Sequence, residues 1–281
     1  MPPSMPTNLP PWLIPRHRKR PALERMTPIL RRCEVSTICE AARCPNVGEC
    51  FAVGTATFLI LGLVCTRRCT YCAVGHGAPQ PPDAAEPDRI AAAARELGLD
   101  YIVITSVTRD DLPDGGASQF AATVRAVRDT LPGARIETLV PDFAGDRAAL
   151  AQVTHARPDV FGHNVETVPR LYPQVRREAD YERSLALLRA AADAGLRTKS
   201  GAMLGLGEEL GEVRKMMRDL AAAGVRVVTL GQYLQPTRRH QPVARYIEPQ
   251  EFAALEREAI AMGFDEVKAG PFVRSSYRAG H

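Results

Sequence analysis

The sequence predicts an α/β fold, a partial (β/α)6 TIM-type barrel, and two regularities carry that expectation. Short runs rich in β-branched and apolar residues alternate with longer stretches of helical periodicity, and six such units follow one another along the chain. Several helical stretches also close on a glycine, at Gly98, Gly195, Gly224 and Gly263, where a helix C-terminus needs a left-handed residue. Such a series lays parallel strands side by side under crossover helices. Six units are two short of a closed eight-unit barrel, and periodicity alone does not separate an open partial barrel from a flat doubly wound sheet.

Taken in order, strands are expected at 57–64, 101–107, 135–141, 159–165, 197–204 and 225–232, with a seventh short one in FDEVKAG at 264–270. Helices are expected between them at 86–98, 118–131, 146–156, 181–195, 208–224 and 248–263. An N-terminal extension (1–56) precedes the barrel (57–269), and a short C-terminal extension (270–281) follows it. In either architecture the ligand site lies at the C-terminal ends of the strands. Thr105, Ser106, the loop TRDDLPDGG, Glu137, Asn164, Glu166, Lys199 and Gln232 are expected there. The first strand is expected to run straight into Cys65.

Composition excludes several classes. The 281 residues are 45% hydrophobic and 24% charged, an ordinary globular balance. A net charge of +4, with arginines spread along the helices, argues against nucleic acid and permits an acidic protein partner. The most apolar stretch, TFLILGLV, falls far short of the roughly 20 residues of a membrane span. The N-terminus has a small basic knot at Arg16–Arg20 but no apolar signal core, and its prolines spoil an amphipathic transit helix. The expectation is a cytoplasmic protein, bound to neither nucleic acid nor membrane, with an extended Pro-rich N-terminal arm.

All seven cysteines fall between Cys33 and Cys72. A disulfide framework would scatter them, so crowding points to metal. CTRRCTYC sets Cys65, Cys69 and Cys72 at C-x3-C-x2-C. Structural zinc takes four protein ligands, whereas a 4Fe-4S cluster held by three thiolates leaves one iron open to an exogenous ligand. Upstream, CEAARCPNVGEC sets Cys39, Cys44 and Cys50 at C-x4-C-x5-C, which by composition alone suits a second cluster or a structural zinc. Cys33 fits neither triad. His163 and His240 read as hydrogen-bonded structural residues, and Trp12 as an anchor for the N-terminal arm or a partner contact.

C-x3-C-x2-C at the end of a first strand, with Tyr71 before the last cysteine, resembles the radical S-adenosylmethionine superfamily. With the upstream triad, the terminal GPFVRSSY and the segments TSVTRDDLPDGG, HNVETV, TKSGAMLGLGE and GQYLQPTRRH, nearly the whole chain resembles one family, the lipoyl synthases. The resemblance implies two 4Fe-4S clusters, with S-adenosyl-L-methionine as cosubstrate on the open iron of the Cys65, Cys69 and Cys72 cluster. It implies an auxiliary cluster on Cys39, Cys44 and Cys50 whose fourth ligand is a serine of RSSY, taken as Ser275 with Ser276 as the alternative. A hard oxygen donor among thiolates is displaceable, as a sacrificed sulfur source requires. The implied reaction inserts two sulfur atoms at carbons six and eight of a protein-bound octanoyl group. Tyr71, Asn164, Glu166, Lys199 and Gln232 are expected to meet S-adenosylmethionine, the alternative being ordinary strand-end polar residues. Implied partners are an octanoylated lipoyl carrier (a glycine cleavage H protein or a dehydrogenase lipoyl domain), an electron donor such as ferredoxin or flavodoxin, and an iron–sulfur carrier for cluster repair. Arg176, Arg177, Arg238 and Arg239 are expected to dock the carrier.

Overall fold

The computed structural model describes residues 9–14, 20–42, 44, 46–53 and 55–280. Its strands are β1 (Ser36–Thr37), β2 (Ala56–Ile60), β3 (Val64–Cys65), β4 (Gly75–His76), β5 (Tyr101–Ser106), β6 (Arg135–Leu139), β7 (Val160–Gly162), β8 (Arg197–Leu204), β9 (Val227–Gln232) and β10 (Glu266–Gly270). The helices are α1 (Arg20–Arg32), α2 (Ile38–Ala41), α3 (Val47–Ala52), α4 (Glu86–Glu96), α5 (Ala117–Thr130), α6 (Arg147–His155), α7 (Tyr172–Val175), α8 (Tyr181–Asp193), α9 (Leu210–Ala222) and α10 (Pro249–Ala261).

Strand order decides between the two architectures left open by periodicity. The main sheet runs β1-β2-β5-β6-β7-β8-β9-β10, and every neighbouring pair is parallel except β1 with β2. A doubly wound sheet would reverse direction at a switch point. Here each new strand joins the same edge, the winding of a barrel, and β2 and β10 stay unpaired with each other, so the barrel is open. The expected glycines 98, 195, 224 and 263 all have positive φ beyond their helices.

The two faces of the sheet differ as the alternation of side chains requires. Ile102, Ile104, Ile136, Phe161, Val228 and Leu230 pack outward under the helices and form the core. Their neighbours in register, Tyr101, Val103, Glu137, Gly162, Lys199, Gly201, Thr229 and Gly231, share the opposite face and line the lumen. Apart from Tyr101 and Val103, which pack on Ala279, these positions are polar or lack a side chain.

Two expectations are corrected. The first strand ends at Ile60 and does not run into Cys65. Leu61 and Gly62 take φ of 66° and 87° and turn the chain, so Cys65 lies on β3, paired only with β4. The turn is held from outside: Leu61 N–H donates to Glu86 (3.0 Å), its carbonyl accepts from Arg109 (3.3 Å), and a Cβ on Gly116 would collide with its side chain. The N-terminal arm is not wholly extended either, because residues 20–32 form α1. Pro21 sits in its first turn, where no backbone donor is needed, while Met26 and Leu30, one turn apart, bury against the core. Of the basic knot only Arg20 is described; the rest lies outside the described residues.

Beyond β10 the chain returns across the open seam. Phe272 O accepts from Asn46 Nδ2 (2.5 Å), and Ala279 packs on Tyr101 and Val103. A Cβ on Gly231 would collide with the Val273 carbonyl, so the glycine is what lets this segment lie against β9.

Candidate active site

Ionic and main-chain clamps hold the loop of Cys65, Cys69 and Cys72 against the barrel mouth. Arg67, 6% exposed, gives two hydrogen bonds to Asp110 (2.7 and 2.8 Å) and one to Asp142 (2.7 Å), whose other oxygen accepts from Arg183. The TRDDLPDGG loop is therefore a brace: Asp110 binds Arg67, and Asp111 pairs with the buried Arg109 that holds the Leu61 turn. Thr70 N–H donates to Val175 O, Gln241 N–H donates to Thr70 O, and His240 Nε2 lies 3.0 Å from Cys72 O. Thr108 N–H points at Cys65 Sγ (3.3 Å). Burial raises the Cys69 thiol and pushes Cys72 up to about 12.

Beside this loop lies a buried charged cluster. Arg176 is 8% exposed, with Nη1 donating to Asn164 O and Val165 O (both 3.0 Å) and the guanidinium over the Tyr172 ring. Its Nε is buried without a hydrogen-bond partner. Arg176 is thus no surface docking residue, which corrects that expectation. Its charge acts on Cys69, Tyr71 and Glu166: burial raises all three, and Arg176 opposes the rise. Glu166 has φ of 65°, an uncommon conformation for a non-glycine residue, fixed by main-chain bonds to Gly201 and Met203.

The second triad is assembled from both ends of the chain. Cys39 lies on α2, whose Thr37 and Glu40 cap its start, Cys44 lies in the following loop, and Cys50 lies on α3. The three line one cavity with Thr57, Arg274 and Ser276. Burial raises each thiol, Cys39 to about 12. Among the described residues no group of three or more His, Cys, Asp or Glu side chains is placed to hold a single metal ion. Ser276 Oγ accepts from Thr57 (2.7 Å) at this cavity, whereas Ser275 Oγ points the other way and donates to Asn164 Oδ1 (3.1 Å). Of the two serines, Ser276 rather than the expected Ser275 therefore faces the thiol cavity.

Adjacent serines thereby join the two sites: Asn164 Nδ2 donates in turn to Glu166 (3.0 Å), beside the first triad. Lys199 is not at the mouth. It lies three residues into β8, inside the lumen, with Nζ 2.8 and 3.0 Å from the Glu137 oxygens, and Tyr101 donates to the same carboxylate (2.7 Å). Gln232 is fully buried and spends its amide on the carbonyls of Leu204, Tyr233 and Arg245 and on the Ile247 N–H. Both side chains are taken up by protein partners in this arrangement. His163 is likewise satisfied, by Val140 O and Ser184, with burial lowering its pKa to about 4.

Residues 59–220 match the profile of the Radical SAM superfamily. Curated lipoyl synthases are similar over nearly the full chain: that of Trichlorobacter lovleyi is 54% identical, covering 97% of both chains, and that of Rubrobacter xylanophilus is 54% identical, covering 96% of this chain and 85% of its own. This chain belongs to the lipoyl synthase family. Solved structures share its fold at low identity. Methylornithine synthase superposes with a TM-score of 0.55 at 14% identity (75% of this chain, 70% of that one), and Streptococcus suis SuiB bound to its precursor peptide with 0.60 at 10% (80% and 52%).

Lipoyl synthases carry two 4Fe-4S clusters and use S-adenosylmethionine, and the residues present fit those groups. Each triad supplies three free cysteines. The auxiliary cavity adds the Ser276 hydroxyl, and beside the first triad the Arg176 Nε is buried without a hydrogen-bond partner. Sequence reasoning missed Arg176 and Arg274 as site residues. Their only signal was position: Arg274 opens the RSSY motif, and Arg176 opens the run before α8.

Proposed function

We propose that this chain makes lipoyl groups in place, inserting two sulfur atoms at carbons six and eight of an octanoyl chain carried on a lysine of a lipoyl carrier protein. The observation that carries this reading is the pair of three-cysteine sites joined through Ser276, Ser275, Asn164 and Glu166. An unactivated carbon has no usable acidity, so the clusters supply the radical from S-adenosylmethionine and the sulfide that no side chain could. Cys65, Cys69 and Cys72 would hold the radical-generating cluster, and Cys39, Cys44, Cys50 and Ser276 the auxiliary one.

The chain's own residues then have definite tasks. Arg176 Nε and the partly buried Glu166 would receive the carboxylate and amino groups of S-adenosylmethionine, with Tyr71 closing the pocket beside Cys72. Asn164, held by Ser275, would orient Glu166. The Tyr101–Glu137–Lys199 group plugs the lumen below the site and keeps bulk water from that side.

The carrier would approach the mouth, where Arg177, Arg238 and Arg239 are exposed on loops tied to the cysteine loop through Val175 and Gln241. An acidic carrier face suits them; a glycine cleavage H protein and a dehydrogenase lipoyl domain both qualify. A ferredoxin or flavodoxin would supply electrons, and an iron–sulfur carrier would renew the auxiliary cluster. Among the described residues no helix is long and apolar enough to cross a membrane.

The test is an anaerobic assay of the reconstituted protein with S-adenosylmethionine, reductant and an octanoyl-lysyl peptide, followed by peptide mass. The expected result is stepwise gain of two sulfurs. Cys65→Ala and Cys44→Ala should both abolish it, and only the former should stop 5'-deoxyadenosine release. Deoxyadenosine without sulfur gain in the unmodified protein would overturn the proposed substrate.

A further inference from the structure

The arginine that opens the C-terminal motif has an arrangement that packing alone does not explain. Arg274 lines the cavity of Cys39, Cys44 and Cys50. Its only hydrogen bond in the described structure is Nη1 to the carbonyl of its neighbour Val273, at 2.7 Å, and it makes no ion pair with any described carboxylate. Of the three buried arginines among the described residues, Arg67 is neutralised by Asp110 and Asp142 and Arg109 by Asp111, while Arg176 makes no ion pair. Arg274 is partly buried, and a guanidinium drawn partly out of water without an ion pair is costly unless a counter-charge arrives. Arg274 lines the cavity beside Cys44, and its neighbour Ser275 bonds Asn164, which bonds Glu166, so it stands between the two sites.

The missing counter-charge has an evident source. A 4Fe-4S core bound by three thiolates and an alkoxide is a net anion, and net charge, hydrogen bonds to sulfur and solvent exposure set the potential of such a group. The geometry points to Arg274 as the positioning residue whose fixed positive charge neutralises the auxiliary cluster, favours its retention and holds its reduction potential up. This rests on the assignment of Cys39, Cys44 and Cys50 as that cluster's ligands. The position is held from behind, because Gly231 lets the Val273 carbonyl lie on β9, and the hypothetical Cβ there would stand 3.2 Å from Arg274 Nη1. The loop of the first triad has no such solitary cation facing a thiol cavity, since Arg67 turns to aspartates and Arg68 is exposed. Arg176 differs as well, being spent in part on main-chain carbonyls and the Tyr172 ring.

The experiment compares Arg274→Lys and Arg274→Gln in the full-length chain carrying Cys69→Ala, which leaves the auxiliary site alone to be loaded. Bound iron and the midpoint potential from an anaerobic EPR-monitored titration are read for each. Retention of charge in the lysine variant should keep iron and potential near those of the Arg274 parent. The glutamine variant should show a more negative midpoint or, if it no longer retains the cluster, loss of iron that lysine restores. Equal midpoints in all three chains would overturn the proposal, as would equal iron loss in both variants, which would make shape rather than charge the requirement. The underlying assignment is checked separately: Cys44→Ala in the same background should lose its remaining iron, and retention there would sink the ligand assignment whatever Arg274 does.

Discussion

The two cysteine sites hold the same number of thiols by opposite means. Cys65, Cys69 and Cys72 share one short loop, clamped by Arg67 to two aspartates and by main-chain bonds to the segments at Val175 and Gln241. Cys39, Cys44 and Cys50 border a cavity whose remaining wall is the far end of the chain, carrying Arg274 and Ser276. The first site is complete within the barrel, while the second exists only when the C-terminal segment crosses the open seam. The proposed tasks suit this difference: the radical-generating site is braced on every side, and the proposed sulfur-donating site is closed by a displaceable hydroxyl on a terminal segment pinned through Asn46, Glu49, Thr57 and Asn164.

That contrast is broken most severely at Arg67. Arg67→Met leaves Asp142 buried beside only the half-exposed Arg183, and breaking a buried pair costs about 3–5 kcal/mol. Denaturant unfolding of the apoprotein should show a loss of that order, and the reconstituted variant should lose S-adenosylmethionine cleavage. Lys199→Met should destabilise by a similar amount, about 3–5 kcal/mol, by stranding Glu137. Calorimetric titration should find cosubstrate affinity nearly unchanged in whatever folded protein remains, and a large loss would return Lys199 to the binding site.

Smaller effects sharpen the comparison. Ser276→Ala should abolish sulfur insertion while deoxyadenosine is still released. Ser275→Ala should cost about tenfold or less in rate, the worth of one hydrogen bond to Asn164. Product mass spectra and nucleoside chromatography distinguish the two, and the reverse ranking would restore Ser275 as ligand. At the rim, Arg238→Glu with Arg239→Glu should raise KM for an octanoylated carrier several-fold in low salt, since exposed pairs are worth about 1 kcal/mol or less each. The KM for a short octanoyl-lysyl peptide should stay unchanged.

The cysteine spacings and the βα alternation were legible because both are local patterns, and the seven parallel strands fall close to the expected positions. What escaped depends on direction or on distant partners. Adjacent serines point to opposite sides, and nothing in RSSY says which one faces the thiols. Lys199 and Gln232 sit on the expected strands, yet Glu137 and four main-chain groups consume them, and those partners come from other elements. The turn at Leu61, with positive φ at a non-glycine residue, is imposed by Arg109, Glu86 and Gly116 rather than by its own sequence. Helix α1 was hidden by its prolines. Arg176 read as a surface charge because its run holds two arginines and one of them turns inward.

The most direct test of the contrast between the sites is the iron content of full-length Gly231→Ala after anaerobic reconstitution, read with its S-adenosylmethionine-dependent EPR signal. The added methyl collides with the Val273 carbonyl and should lift the C-terminal segment from β9. The account predicts loss of half the iron with the cosubstrate-dependent signal intact. Full retention of iron, or loss from both sites together, would contradict it.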